Sequence, residues 1–329
     1  MILDPVLADG IAYGSGLALL ACGITLIYMT TRTFNFAHAS MCTWGLFVIY
    51  SGYFLTGLSP YVFFPLAFLL GAGQGLVWYL ICNRYLLRRG ADETVLMMST
   101  LGYELLLLSF VQIFADVLTD LGAYPRLITM STIDPEIFGM NAITVISLVS
   151  AIVILATLHL YLTRTKFGLA IRATVENTSL AGVTGINAER VYLTAWILGG
   201  GLAGLGGAYT GMVATGSPVL GWGIIVPMFA ASILGGLYSI YGGIVGGYIV
   251  GLAEYVLLRM LAALPFIGNE ILPYRPVIPL AIMVIVLLAL PQGLAGLTRQ
   301  DLKKLVMKET WTGLGQRGSR RLGRLVRRG

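Results

Sequence analysis

Charge is scarce in this chain. Of its 329 residues, 11% are Asp, Glu, Lys or Arg, against about 25% in ordinary soluble domains. With 57% hydrophobic residues, it cannot cover a water-facing surface, which excludes a soluble globule and leaves a polytopic membrane protein. Histidine is scarcer still: there are only His38 and His159, with no carboxylate cluster beside them, which excludes a conventional zinc site. The three cysteines, Cys22, Cys42 and Cys82, fall in or at the ends of apolar segments and form no CxxC pair. They read as small packing residues rather than a disulfide framework. No lysine follows a glycine, so there is no phosphate-binding GxxxxGK[ST] loop, and any ATP must bind to another subunit. Neither HExxH nor GxSxG occurs, which leaves a membrane enzyme without support. The N-terminus has no basic region and no small-residue cleavage site, so the first apolar run is expected to be a span, not a removable signal.

Glycine, by contrast, is abundant, at 42 residues. Many lie in GxxxG pairs, among them Gly242 with Gly246, Gly243 with Gly247, and Gly247 with Gly251, a spacing that lets a neighbouring helix backbone approach closely. Gly199, Gly201 and Gly204 also satisfy GxGxxG, but inside an apolar run and without a preceding strand, so packing is the reading there. Runs of the length a membrane helix needs, about 20 mainly apolar residues, fall near 11–30, 40–58, 61–82, 94–115, 142–162, 191–213, 222–238, 241–262 and 277–291. The fold class expected is all-α, a transmembrane bundle of about nine spans (8–10). Placing the segment 163–190 inside the cell puts 18 Lys/Arg on the inner side and 3 on the outer. That asymmetry predicts the N-terminus outside and the C-terminus inside. The domain division expected is a membrane domain over 1–298 and a basic cytosolic tail over 299–329. The tail carries ten Lys/Arg and two acids. After so many spans it fits anionic lipid headgroups better than nucleic acid.

The stretch 163-TRTKFGLAIRATVENTSLAGVTGINAER-190 is too polar to cross a bilayer and too short to be a domain. Gly168 to Asn177 fits a helix continuing out of the fifth span. Thr178 is a plausible N-cap, and Gly185 a C-cap, for a second short helix that places Leu180, Val183 and Ile186 near one face. It is either an ordinary solvated loop or a short helix shaped to press into a partner's groove. Between the first two spans, 30-TTRTFNFAHASM-41 sets Arg32, Asn35 and His38 in a polar break. That break is either a capped cytosolic turn or irregular backbone lining a cavity. Glu104 lies deep in the fourth span among apolar residues. A carboxylate there binds substrate, relays protons or pairs within the bundle. Gln74 and Gln112 are also buried amides, and Glu254 reads as a packing hydrogen-bond partner.

These residues resemble the LivH-type permease of branched-chain amino acid ABC importers, from about Gly14 to Gly296. The family's NFAHG segment appears as Asn35-Phe36-Ala37-His38-Ala39. Its cytosolic pattern appears as Gly168, Ala170, Arg172, Ala173, Glu176, Ala181, Gly185 and Ile186. Its glycine-rich run is matched by 233-ILGGLYSIYGGIVGGYIVGLAE-254, and its closing P-x-G-x-x-G by 290-LPQGLAGL-297. Where relatives often carry Lys before the ILGG run, this chain has Val226-Pro227-Met228, which predicts a kink in the seventh span.

The resemblance implies that 163–190 is the coupling element docking on an ATP-binding subunit, with Arg172, Glu176, Leu180, Val183, Gly185 and Ile186 as coupling residues. It implies a translocation path near Asn35, His38 and Glu104, and helix packing at Gly242, Gly243, Gly246, Gly247 and Gly251. No cofactor binds this chain, since ATP-Mg lies on the partner subunits. The partners implied are a second, LivM-like permease, two ATP-binding subunits, an external substrate-binding protein and the lipid of a bacterial inner membrane. The cargo is branched-chain or other amino acids, amides or urea. The alternative kept open is a stand-alone proton-coupled transporter working through Glu104, for which internal inverted repeats would speak.

Overall fold

The computed structural model describes residues 4–121, 127, 129–137, 139–264, 268–290 and 292–296. The basic tail therefore lies outside the described residues. Helix α1 (Pro5–Thr31) starts where Asp4 accepts the Val6 N–H at 2.9 Å with Pro5 in the first turn, and it stops at Arg32 in the left-handed region (φ 56°). Then come α2 (His38–Thr56), and α3 (Phe64–Trp78), which runs through a π-helical turn (Tyr79–Asn83) into α4 (Arg84–Arg88). Asp92 caps α5 (Glu93–Asp120), accepting the Val95 N–H at 2.9 Å. A two-stranded hairpin, β1 (Glu136–Ile137) with β2 (Met140–Asn141), leads into α6 (Ala142–Arg164). After it follow α7 (Lys166–Glu176), α8 (Thr178–Val183), α9 (Ala188–Val213), α10 (Leu220–Gly235), α11 (Ile240–Ala262) and α12 (Val277–Ala289). The chain is thus an all-α polytopic bundle.

Among the described residues, seven helical stretches are long and apolar enough to cross a bilayer: α1, Pro60–Arg88, α5, α6, α9, α11 and the stretch opening at Val277. The other two expected spans are shorter or more polar. Helix α10 has 16 residues, and the 19-residue α2 carries His38, Ser40 and Thr43 in its first turns. Pro227 sits inside α10, which continues through it as one helix. The core is built of helices, not of a separate globule. The most apolar stretch of α1 is 94% buried and that of α9 is 72% buried, whereas those of α5, α6 and α11 are each 33% buried. Those outer helices present Leu105, Phe110, Val149, Ile152 and Ile249 outward, as a lipid-facing ring requires.

Contact between the two central helices depends on small residues. Helix α9 runs antiparallel to α1, with Gly199 against Gly23 and Gly206 against Gly16. Helix α11 runs antiparallel to α1, with Gly247 on Ala18 and Gly251 on Gly14. Helix α3 runs antiparallel to α9 in the same way, with Gly71 on Gly200 and Gly75 on Trp196. Helix α2 lies along α9, and a Cβ on Gly207 would collide with the Cys42 carbonyl. Helix α10 in turn lies beside α1, where Thr25 and Ser232 share a 2.8 Å hydrogen bond. The units α1–α2–α3 and α9–α10–α11 therefore follow one plan in opposite directions. This is an inverted repeat that the sequence did not display.

In each unit the shorter helix begins part-way along the long one. His38 Nε2 lies 3.1 Å from the Leu20 carbonyl, at the sixteenth residue of a 27-residue helix. Residues 32–37 therefore fold back along α1 before α2 begins. Similarly, the chain after α9 returns until Gly221, in the first turn of α10, lies against the Ala39 carbonyl.

Candidate functional site

The starts of α2 and α10 meet, and Asn35 and His38 of the first break lie beside that junction, while the exposed Arg32 donates to the Tyr238 hydroxyl at 3.0 Å past the far end of α10. Irregular backbone inside a membrane protein must satisfy its N–H and C=O groups from protein. Thr100 of α5 serves the segment before α2. Its hydroxyl accepts the Phe36 N–H at 3.2 Å, and its one proton is shared between the Met97 carbonyl at 2.8 Å and the Phe34 carbonyl at 3.2 Å. Phe34 and Phe36 both pack edge-on against Phe229 of α10. One turn beyond Thr100, Glu104 is fully buried and accepts the Ser40 N–H at 3.0 Å and the Ser40 hydroxyl at 2.7 Å.

That geometry explains Glu104. Helix α2 has no side-chain cap of its own, since Ala37 stands at the N-cap position. A helix N-terminus offers unpaired N–H groups and partial positive charge. A carboxylate from another helix supplies both the acceptor and the negative charge. Thr43 supplies an acceptor, without the charge, for α10, its hydroxyl accepting the Gly221 N–H at 3.0 Å. Neither Ser40 nor Thr43 stood out in the sequence, because each is a common residue whose role comes from a neighbour.

Asn35 and His38 are fully buried beside this junction. His38 donates from Nε2 to the Leu20 carbonyl, which places its free acceptor at Nδ1. Asn35 Nδ2 lies 3.9 Å from Met41 Sδ. His38 Nδ1 and Asn35 Oδ1 have no hydrogen-bond partner among the described residues. The glycines singled out in α11 lie on its contact surfaces: Gly242 against Gly235, Gly246 against Ala231, Gly247 against Ala18, Gly251 against Gly14, and Gly243 facing Thr25.

Glu254 is a buried hydrogen-bond partner, and the group it meets is charged. Arg275 Nε lies 2.8 Å from its Oε2, forming an ion pair. The guanidinium sits 4.5 Å from the Tyr13 ring centroid and 4.3 Å from that of Tyr255. The two rings lie side by side, 5.3 Å between centroids and tilted by 52°, and the guanidinium rests against both, held by their quadrupoles.

At the other end of the long helices stands the polar segment. It does not continue out of α6. The chain breaks at Thr165, whose side chain caps α7 by accepting the Gly168 N–H at 3.1 Å. A Cβ on Gly168 would collide with the Leu162 carbonyl, so this sharp turn requires glycine. Asn177, not Thr178, caps α8 and accepts the Leu180 N–H at 2.9 Å. Thr178 instead bonds back to the Thr174 carbonyl.

Gly185 ends α8 as the sequence predicts. With φ at 86° it lets its own N–H reach the Gly182 carbonyl and the Ile186 N–H reach the Ala181 carbonyl, a Schellman motif. Ile186 is tucked against the core, while Arg172 and Glu176 are exposed. Leu180 is 63% exposed and Val183 85%. The α7–α8 pair is thus fixed at both ends and presents three bare apolar side chains, those of Leu169, Leu180 and Val183, beside the exposed Arg172 and Glu176.

A clamp unseen in the sequence holds the base of α9 nearby. Glu189 receives Arg84 at 3.1 Å and Arg88 at 2.5 Å, and its carbonyl accepts the Tyr79 hydroxyl at 3.0 Å. Among the described residues no group of three or more His, Cys, Asp or Glu is placed to hold a metal.

An all-α bundle with helices starting at mid-depth and a structured polar appendage has the architecture of a membrane transport permease. The chain belongs to the family described as branched-chain amino acid transport system / permease component, which matches residues 6–287. It is 38% identical to the probable branched-chain amino acid transport permease protein LivH of Methanocaldococcus jannaschii over 302 residues, covering 92% of this chain and 95% of that one. It is 27% identical to the high-affinity branched-chain amino acid transport system permease protein LivH of Salmonella typhimurium, over 90% of this chain and 96% of that one. It is 25% identical to the permease protein BraD of Pseudomonas aeruginosa, over 91% of this chain and 97% of that one. No solved structure matches it.

Proposed function

We propose that this permease is one of two membrane subunits of an ATP-driven importer of branched-chain or related amino acids, set in a bacterial inner membrane with its N-terminus outside. Helices α2 and α10 count as spans in this reading, which makes nine. The observation that carries it is the α7–α8 pair. It is a capped helical element anchored to α6 and α9, with Leu169, Leu180 and Val183 bare and Arg172 and Glu176 exposed beside them. An apolar edge of this kind fits a groove on a partner, and its two anchors transmit the partner's rigid-body motion to the bundle. The partner in this reading is an ATP-binding subunit, because the chain has no phosphate loop of its own. The cargo follows from the names of the relatives, which are branched-chain amino acid permeases. A second permease, a second ATP-binding subunit and an external binding protein complete the assembly.

The proton-coupled reading is kept by one observation, the inverted repeat, since stand-alone transporters are often built that way. Glu104 speaks against it, because its carboxylate is committed to the first turn of α2. Mild extraction of the tagged chain from its native membrane, followed by mass spectrometry, separates the two. Co-purification of ATP-binding subunits and a second permease supports the importer. A chain that emerges alone and moves amino acids in ATP-free vesicles overturns it.

A further inference from the structure

The ion pair between Glu254 and Arg275 is only half satisfied. Oε2 and Nε are joined, but Glu254 Oε1 and Arg275 Nη2 are buried and have no hydrogen-bond partner among the described residues. Leaving two charged atoms bare is costly, and such atoms call for an explanation. Packing alone does not provide one, because a neutral pair of similar volume would do as well or better.

The surroundings offer another. The pair lines two cavities at once. One, of about 300 Å³, is bordered by Val6, Asp9, Leu258 and Arg259. The other, of about 290 Å³, reaches the first turns of α10 past Ser217, Val219, Leu220, Ile224 and Pro227. Both are near the lower end of the range for small-molecule sites, about 300–1,000 Å³. Glu254 itself is 1% exposed, so its spare oxygen is not a surface group. Tyr13 and Tyr255, packed against each other, hold the guanidinium against their two rings, and the carboxylate fixes Nε.

We propose that Glu254 and Arg275 form a binding site for a zwitterionic α-amino acid with an apolar side chain. The ligand's ammonium meets Glu254 Oε1, its carboxylate meets Arg275 Nη2, and its side chain lies against Val219, Leu220, Ile224 and Pro227. Opposite charges on one small ligand answer both bare atoms together, and a ligand with only one charge leaves the other unmet. The site rests on the transport reading above and deepens it, by placing a station for the cargo between two cavities.

The test uses two readouts. In nanodiscs holding the full chain with whatever co-purifies, L-leucine is expected to raise the unfolding temperature. At equal concentration 4-methylpentanoate, which lacks the ammonium, and 3-methylbutylamine, which lacks the carboxylate, leave it unchanged. In cells deleted for the gene, the parent chain restores leucine uptake, and E254Q/R275Q lowers it by about tenfold or more, because the ligand's two charges each lose the opposite charge they meet. The double variant leaves no unpaired charge, so its amount in the membrane and its unfolding temperature without ligand stay at the parent's level or above. Full uptake by a normally assembled E254Q/R275Q chain, or no stabilisation of the parent by L-leucine, overturns the site. Leucine uptake that survives deletion of the gene overturns the transport reading instead.

Discussion

Glu104 shows how a single residue changes meaning once its partner is known. In the sequence it is a carboxylate among apolar neighbours, equally suited to a proton relay and to a structural bond. In the structure it caps α2 from across 64 residues of chain, through the Ser40 N–H and hydroxyl. The two roles predict different behaviour. E104Q keeps an acceptor for the Ser40 N–H and loses only the charge at the helix terminus, so uptake is expected to persist, with a stability loss of about 0.5–2 kcal/mol. E104A strands a buried donor and costs about 1–3 kcal/mol. Thermal unfolding of both variants beside leucine uptake checks this. Abolished uptake in a stably folded E104Q chain would return Glu104 to the proton-relay role. Arg275 was legible only as one of the few basic residues on the outer side, and nothing local tied it to Glu254, 21 residues earlier.

At the scale of elements, the polar segment 163–190 was largely legible because its signals are local. Helical spacing, a glycine stop and an adjacent Asx-type cap act within one or two turns, and α8 ends at Gly185 as those signals require. The start was misread by one residue. Asn177 and Thr178 are both good caps, and only the extended backbone at Asn177 (φ −155°, ψ 103°) decides between them. The break at Thr165 was missed because apolar periodicity continues across it, while Gly168 is needed there only to clear the Leu162 carbonyl. N177A is expected to loosen α8 by about 1 kcal/mol. G185A forces a Cβ into the left-handed region, at about 1–2 kcal/mol. Both are expected to lower uptake while the bundle unfolds at the parent's temperature, with faster hydrogen exchange confined to the residues around α8. Unchanged uptake in both variants would count against α7–α8 as the coupling element.

For the whole molecule, the density of glycine becomes a matter of position. Gly207 lies where α2 and α9 touch backbone to backbone, and any Cβ meets the Cys42 carbonyl. Gly102, on α5, has open space around its Cβ position. G207A is expected to destabilise the bundle by about 1–3 kcal/mol through overpacking. G102A is expected to leave it unchanged or gain up to about 1 kcal/mol of helix propensity. Comparing their unfolding midpoints in one detergent tests the packing scheme directly, and an equal response at the two sites would contradict it. GxxxG spacing points to α11 as a packing helix, and Gly247 and Gly251 lie against Ala18 and Gly14 of α1. It did not say which helices approach, because small residues permit contact without naming a partner.

The sequence by itself determined the solvent and the class. Too little charge to face water, long apolar runs and caps written into neighbouring residues specify a bundle of membrane helices with a polar appendage. Those properties depend on residues close along the chain, where period and composition act directly. Only the tertiary structure decided where α2 and α10 begin, that two halves repeat in opposite directions, and which groups answer Glu104, Glu189 and Glu254. Each of those outcomes joins residues far apart in sequence, and in an apolar interior the partner of a charge is set by which helices pack together.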